Sequence, residues 1–238
     1  MEGGHPDYPL GTDAVGRDVL SRIMWGSRVS LLVAVSTIVL AGSFGVILGM
    51  TAGYMGGWWD SVVSNSLNIV LAFPFVLLAL ALVPVLGPGL FNIILVLALT
   101  GWPVFARVVR AKTLQVCAMD YVEAATAIGA SRLSLLRRHI LPNVQDTIIV
   151  VSSLEIARVI IMEAFLSFIG VGVTPPTPTW GGMLGDGRNY IMTHWWLSTF
   201  PGIALAITTL GFNMLGDGLR DLLDSRLPGS TSRMDDRE

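Results

Sequence analysis

Charge is what this sequence has least of. Only 13% of its 238 residues are Asp, Glu, Lys or Arg, against 53% hydrophobic residues and a mean hydropathy of +0.67. Soluble domains carry about 25% charged residues, so the one or two soluble domains that the length would allow are excluded. Cysteine is nearly absent as well. Cys117 stands alone, which rules out a disulfide framework or a cysteine metal cage and leaves it a small packing residue. The only lysine, Lys112, sits in Ala-Lys-Thr without a glycine run before it. No phosphate-cradling Gly-x-x-x-x-Gly-Lys-Ser/Thr loop exists, and the chain is not expected to hydrolyse ATP by itself. His5, His139 and His194 are scattered and join no acidic cluster at ligand spacing, so no metal, cofactor or catalytic centre is expected.

The few charges are segregated. Between Arg28 and Asp60 the only ionisable side chain is Tyr54, and between Asp60 and Arg107 there is none. A bilayer span needs roughly 20 largely apolar residues, so the second stretch holds two spans and a turn. Five apolar segments result, at residues 29–53, 62–86, 91–106, 147–169 and 196–215. The prolines and glycines of 84–89 separate the second from the third, and the Pro-rich run 174–179 separates the fourth from the fifth. In hydrocarbon the backbone must satisfy its own hydrogen bonds. These segments are too long and too evenly apolar for barrel strands, so the expected fold is an all-α polytopic bundle of about five transmembrane helices. Pro74 and Pro103 lie within spans and should kink them.

Arginines and Lys112 set the orientation. Arg107, Arg110, Lys112, Arg132, Arg137 and Arg138 follow the third span, with only Asp120 and Glu123 against them. Arg220, Arg226, Arg233 and Arg237 follow the fifth. Both regions are expected in the cytoplasm, which puts an N-terminal arm, 1–28, outside; there Glu2, Asp7, Asp13 and Asp18 offset Arg17, Arg22 and Arg28. An exported arm normally follows a signal peptide or an earlier span. Neither is seen, so one span ahead of Met1 is expected to be missing from this chain.

Ala41, Gly45, Gly49 and Gly53 recur at four-residue spacing, which lines one helix face with small residues. A close packing seam and the general glycine abundance of membrane helices account for this equally well. Glu155, Arg158 and Glu163 lie in or beside the fourth span. Such charges face a bundle interior or a water-filled cavity. Glu155 and Arg158, three apart, share a face and suit a structural ion pair; Glu163 is the candidate for a solute pathway. Trp195 and Trp196 beside His194 suit an interfacial belt.

The connection between the third and fourth spans, 113–143, carries the functional signal. Asp120 and Glu123 mark a helix start, with acids at the positive end of the helix dipole. Gly129 interrupts, Ser131 can cap a second helix running to His139, and Pro142 marks its end. Two short helices joined at a glycine make a protrusion under the membrane. Insertion into a groove on a partner protein and an amphipathic helix lying on the headgroups, held by Arg132, Arg137 and Arg138, are both open on physical grounds.

Glu123-Ala124-Ala125, three residues, Gly129, then Leu141-Pro142 resembles the EAA signature of bacterial ATP-binding-cassette importer permeases, with His139 where the pattern usually has isoleucine. Arg138-His139-Ile140-Leu141-Pro142-Asn143 is similar to the peptide-permease version. Three further runs resemble dipeptide and oligopeptide permeases of the C-subunit type, in consistent order: Gly11-Thr12-Asp13 with residues 16–22, the loop 175–181, and residues 212–221. The resemblance implies six spans with both ends inside, of which the first would be the one missing here. It implies a permease domain over 29–219 and a cytoplasmic tail, 220–238, in a bacterial cytoplasmic membrane. Residues Glu123, Ala124, Ala125, Gly129, Leu141 and Pro142 would shape the docking of coupling helices into two separate ATPase subunits. A second permease subunit and an external solute-binding protein would complete the importer, and no nucleic-acid partner is expected. The solute implied is a di- or oligopeptide, with nickel or another small solute as the alternative. An ion-coupled secondary transporter, for which Glu155 and Glu163 are thin support, and a membrane-embedded enzyme rank below.

Overall fold

A computed structural model describes residues 6–224. The parts of the arm and tail that include Glu2, His5, Arg226, Arg233 and Arg237 lie outside the described residues. Within them the regular structure is all helical, joined by turns and loops, apart from one isolated antiparallel bridge, Thr12 to Asp18. The order is α1 Val19–Met55, α2 Gly57–Ala72, α3 Phe75–Leu86, α4 Leu90–Cys117, α5 Asp120–Ala127, α6 Arg132–Leu135, a π-helical turn Leu136–Ile140, α7 Leu141–Phe168, α8 Trp180–Gly187, a 3-10 turn Arg188–Tyr190, and α9 Trp196–Asp224. Among the described residues three helices are long and apolar enough to cross a membrane: α1, α4 and α9 over Trp196–Leu223. The pair α2 and α3 qualifies together but bends by 92° between its halves. The fourth expected span falls on α7, which matches α4 in length at 28 residues but carries Glu155, Arg158 and Glu163.

Local sequence explains where each helix begins and breaks. Asp18 caps α1, its carboxylate accepting from the amides of Leu20 and Ser21. Pro74 does more than kink its span. The residue before a proline is pushed out of the helical region, and Phe73 is extended at φ −85°, ψ 132°. With no amide at Pro74 to carry the ladder across, the span breaks into α2 and α3. Pro103, in contrast, is accommodated inside a continuous α4.

Pro142 was expected to end a helix running from Arg132 to His139, and the structure corrects this. The regular part of α6 stops at Leu135, the wide turn Leu136–Ile140 follows, and α7 continues through Pro142 in its first turn. The Leu141 amide donates to the Leu136 carbonyl, five residues back. The wide turn directly precedes Pro142, which has no amide to donate and sits where a helix tolerates it, in the first turn of α7.

The seam is the central packing feature. A Cβ at Gly45 would lie 2.5 Å from the Trp102 carbonyl oxygen, one at Gly49 2.4 Å from that of Ala106, and one at Gly53 2.9 Å from that of Arg110. Ala41 faces Gly101 one turn earlier. Positions rise together along both helices, so α1 and α4 run parallel and meet backbone to backbone. Of the two explanations for the small residues, close packing within the subunit is the one observed. Lipid offers no hydrophobic drive for helix association, so contact this intimate is what holds the pair. Around it Val33, Ile38, Val96, Leu97, Phe105, Ile160 and Leu166 form the main core.

Candidate functional site

The connection from α4 to α7 is built as one rigid piece. α5 starts at Asp120 with Asp120 and Glu123 in its first turn. Its end is a Schellman motif: the Ala130 amide donates to the Ala125 carbonyl and the Gly129 amide to that of Thr126. This closure requires a left-handed residue at the corner, and Gly129 sits at φ +85°. Ser131 then caps α6 by accepting from the Ser134 amide. Val122 and Ala125 from α5, Leu135 and Ile140 from the next turns, and Val144 from α7 pack on Val109 and Val116 of α4. This small core fastens the connection to the ends of two long helices. The Tyr121 and His139 rings, 6.1 Å apart, add a contact across the same junction.

With the inward face occupied by this core, the outward face is specific. Glu123, Ala124, Gly129, Arg132 and Leu133 are exposed, and Ile128 is 87% exposed. Ala125, by contrast, is buried in the core, and Leu141 and Pro142 belong to the first turn of α7. The exposed surface is thus small and apolar at its centre with Glu123 and Arg132 near it.

The charges of α7 separate into two environments. Arg158 pairs with Glu155, donating through Nε at 2.8 Å. The pair lies on the side facing Gly101 of α4, with the Arg158 side chain 37% exposed. Glu163 is fully buried. Its carboxyl group is held by the Ser167 hydroxyl at 2.7 Å and the Ser30 hydroxyl of α1 at 3.2 Å. The Ser167 oxygen in turn accepts from the Val173 amide at 3.3 Å, which ties the loop after α7 to the same group.

Two polar assemblies escaped the sequence reading. Asp13 accepts from the Val15 and Arg17 amides, and from the side chains of Arg17 at 2.7 Å and Arg22 at 2.6 Å; Arg22 also reaches Asp186 of α8 at 3.3 Å. Burial pushes the Asp13 carboxyl up, but the hydrogen bonds from Arg17 and Val15 outweigh it and hold the group below its ordinary value. The arm, α1 and α8 enclose a cavity of about 360 Å³ here, lined by Arg17, Arg22, Asp186, Arg188 and Tyr190 among others. The second assembly is a fork between Asp60 of α2 and Arg110 of α4. Its signal was in the sequence, since Asp60 is the one charged residue between Arg28 and Arg107.

Comparison with known proteins is consistent along the chain. The family described as binding-protein-dependent transport system inner membrane component matches residues 45–228. The probable D,D-dipeptide transport system permease protein of Escherichia coli K12 is 43% identical, covering 94% of this chain and 75% of the relative. The glutathione transport system permease protein of Pectobacterium atrosepticum is 41% identical, and the di/tripeptide transport system permease protein of Pseudomonas aeruginosa 40%; each match covers 95% of this chain and 75% of the relative. Among solved structures, a chain of the MetNI methionine ABC transporter superposes with a TM-score of 0.66 at 20% identity, covering 84% of this chain and 97% of that one. A chain of an amino acid ABC transporter crystallised with histidines gives 0.66 at 16% identity, over 85% and 94%. At those identities the structures speak to the fold alone.

Proposed function

This chain belongs to the inner membrane components of binding-protein-dependent transport systems, and on that footing we propose that the solute it passes is a short peptide. It is a permease subunit of an ATP-binding-cassette importer, and ATP hydrolysis lies in partner subunits. The observation that carries the peptide reading is likeness over nearly the whole chain, at 40–43% identity, to permeases named for D,D-dipeptides, di- and tripeptides, and glutathione. All of these are short peptides or peptide-like.

In this reading α1, the broken pair α2–α3, α4, α7 and α9 make five spans, with the arm outside and the α4–α7 connection in the cytoplasm. The exposed surface around Ala124, Ile128 and Gly129 enters a cleft on an ATPase subunit, with Glu123 at its edge. Ala125, Leu141 and Pro142 act from behind, by fixing the connection to α4 and α7. Closure of two ATPase subunits on ATP pushes this lever, and the attached helices open the cavity alternately to each face. A second permease subunit supplies the other half of that cavity, and an external binding protein delivers the peptide. The Glu155–Arg158 pair serves as an internal brace in this scheme. Glu163 stands where a change of α7 would reach both α1 and the outer loop.

The test is to purify the importer with its cognate binding protein and identify the ligand retained, by mass spectrometry after denaturation. Peptides of two or three residues are expected; a metal complex in their place would overturn the substrate reading. Impermeant labelling of a cysteine at position 123 from outside the cell would overturn the orientation and the docking together.

A further inference from the structure

Asp60 is an anomaly in a membrane chain that avoids charge. It lies in the first turn of α2, the one charged residue in the long interval from Arg28 to Arg107. Its carboxylate takes both arms of the Arg110 guanidinium, Nε on one oxygen and Nη2 on the other at 2.6 Å. A second bond runs between the same two helices, from Arg107 Nη2 to the Asn68 side-chain oxygen at 3.2 Å. Position 68 lies further along α2 and position 107 earlier along α4, so the two bonds are rungs between antiparallel helices. Both Asp60 and Arg110 are partly exposed, and pairs of that kind add little to folding stability. A bidentate fork fixes geometry well, however, because its two bonds set both distance and orientation.

The position of the rungs gives them a purpose. Arg110 lies about two turns before the end of α4, and Val109 and Val116 beside it belong to the small core that holds α5, α6 and the start of α7. Displacement of the α4–α7 connection therefore moves this end of α4. On the other side of the rungs is α2, which runs to the break at Pro74 and hands over to α3. No other bonds between polar side chains link α2 to α4 among the described residues.

We propose that Asp60 and Arg110 are positioning residues for transport, a fork that conveys displacement of the coupling loop from α4 to the broken α2–α3 span. The inference rests on the reading of that loop as the site where the ATPase subunits dock. It predicts that the fork matters for what ATP does to α3, and not for whether the complex forms.

The experiment uses the whole importer, both permease subunits with both ATPase subunits, in vesicles. Native Cys117 is replaced by alanine and a single cysteine is placed at exposed Leu77 of α3. The rate of modification by a membrane-permeant maleimide is compared with and without vanadate trapping of ATP. In the C117A/L77C background trapping is expected to change this rate about fivefold or more. D60A and R110A should abolish the change while the ATPase subunits still co-purify, and the charge swap D60R/R110D should restore it. Uptake of labelled Ala-Ala per ATP hydrolysed should fall and recover in parallel. Should a single substitution prevent assembly, the swap still decides the matter, since restored assembly without restored nucleotide dependence counts against the proposal. A background rate indifferent to trapping, or nucleotide dependence that survives in D60A, overturns it. ATPase subunits that never co-purify with the unsubstituted chain would instead overturn the docking reading, and the two failures are distinguishable.

Discussion

Replacing Gly49 by alanine tests the seam between α1 and α4 directly. The added methyl would sit 2.4 Å from the Ala106 carbonyl oxygen, where ordinary contact begins at 3.4 Å. The helices must therefore part by about 1 Å at this level, a gap that forfeits a quarter to a half of the dispersion energy there. Overpacking of this size costs about 1–3 kcal/mol. Alanine also gains about 1 kcal/mol of helix propensity over glycine, which would mask part of the loss. Gly211 of α9 supplies the correction, because a Cβ there meets nothing within 4 Å. G211A gains the propensity without the clash, so the difference between G49A and G211A isolates the overpacking. Thermal unfolding of the isolated subunit in detergent should place G49A below G211A by about 2–4 °C per kcal/mol. The double variant G45A/G49A should lose less than the two singles together, since one separation relieves both contacts. Equal midpoints for G49A and G211A would refute a tight α1–α4 seam.

At Gly129 the constraint is the backbone, for nothing lies within 4 Å of a Cβ placed there. G129V should reduce co-purification of the ATPase subunits strongly, while G129N, which tolerates the left-handed region, should retain most of it. Asp13 predicts a pH dependence of the arm. Its folded-state carboxyl is held below the ordinary 3.8, so its contribution is complete above that value and is lost as pH falls through the lower, folded one. Limited proteolysis of the arm should be unchanged from pH 7 to about 5 and rise only in stronger acid, and D13N should cleave readily throughout. At Glu163, E163A leaves the Ser30 and Ser167 hydroxyls without their shared partner and should cost about 1–3 kcal/mol in the same thermal assay. E163Q, which keeps hydrogen-bonding capacity, should cost less.

Much of this architecture was legible because a membrane makes charge informative. The gaps between Arg28, Asp60 and Arg107 located α1, α2–α3 and α4, and the acids and Ser131 located the two short helices of the connection. The spacing of Gly45, Gly49 and Gly53 exposed the seam but not its partner, since a row of small residues does not say which helix it receives. Pro74, Pro103 and Pro142 show the limit of local rules. All lack an amide, yet the chain breaks at Pro74 and runs on through Pro103 and Pro142, the last directly after a wide turn, so the proline alone does not say which outcome follows. Helix α8 went unforeseen because it contains four glycines, at 181, 182, 185 and 187. Three of them are there to let the backbone lie on Ala164, Phe168 and Leu197, a tertiary reason that propensity cannot contain. The site residues Glu155 and Arg158 were legible as a pair from their spacing, whereas Ser30, which joins the neighbouring Ser167 on Glu163, and Arg110, which holds Asp60, come from distant segments.

These packing differences also limit where the subunit can deform. Across the α1–α4 seam, backbone touches backbone at successive turns, so sliding one helix along the other would drive Gly45 and Gly49 positions into the side chains between them. Interlocked surfaces of that kind shift in steps or not at all. α9 is held differently: 17% of its most apolar stretch is buried, against 67% for α4. The α2–α3 pair is interrupted at Phe73 and Pro74, where no helical hydrogen bonds cross to resist a change of angle. Under the proposed docking, a force arriving at the α4–α7 connection meets a stiff body made of α1 and α4. It can be relieved at the bend between α2 and α3 and along the lightly packed face of α9. The fork between Asp60 and Arg110 ties the stiff body to the first turn of α2, at the opposite end of that helix from the bend, so in the proposed scheme α2 carries a rotation of α4 to α3 as a lever.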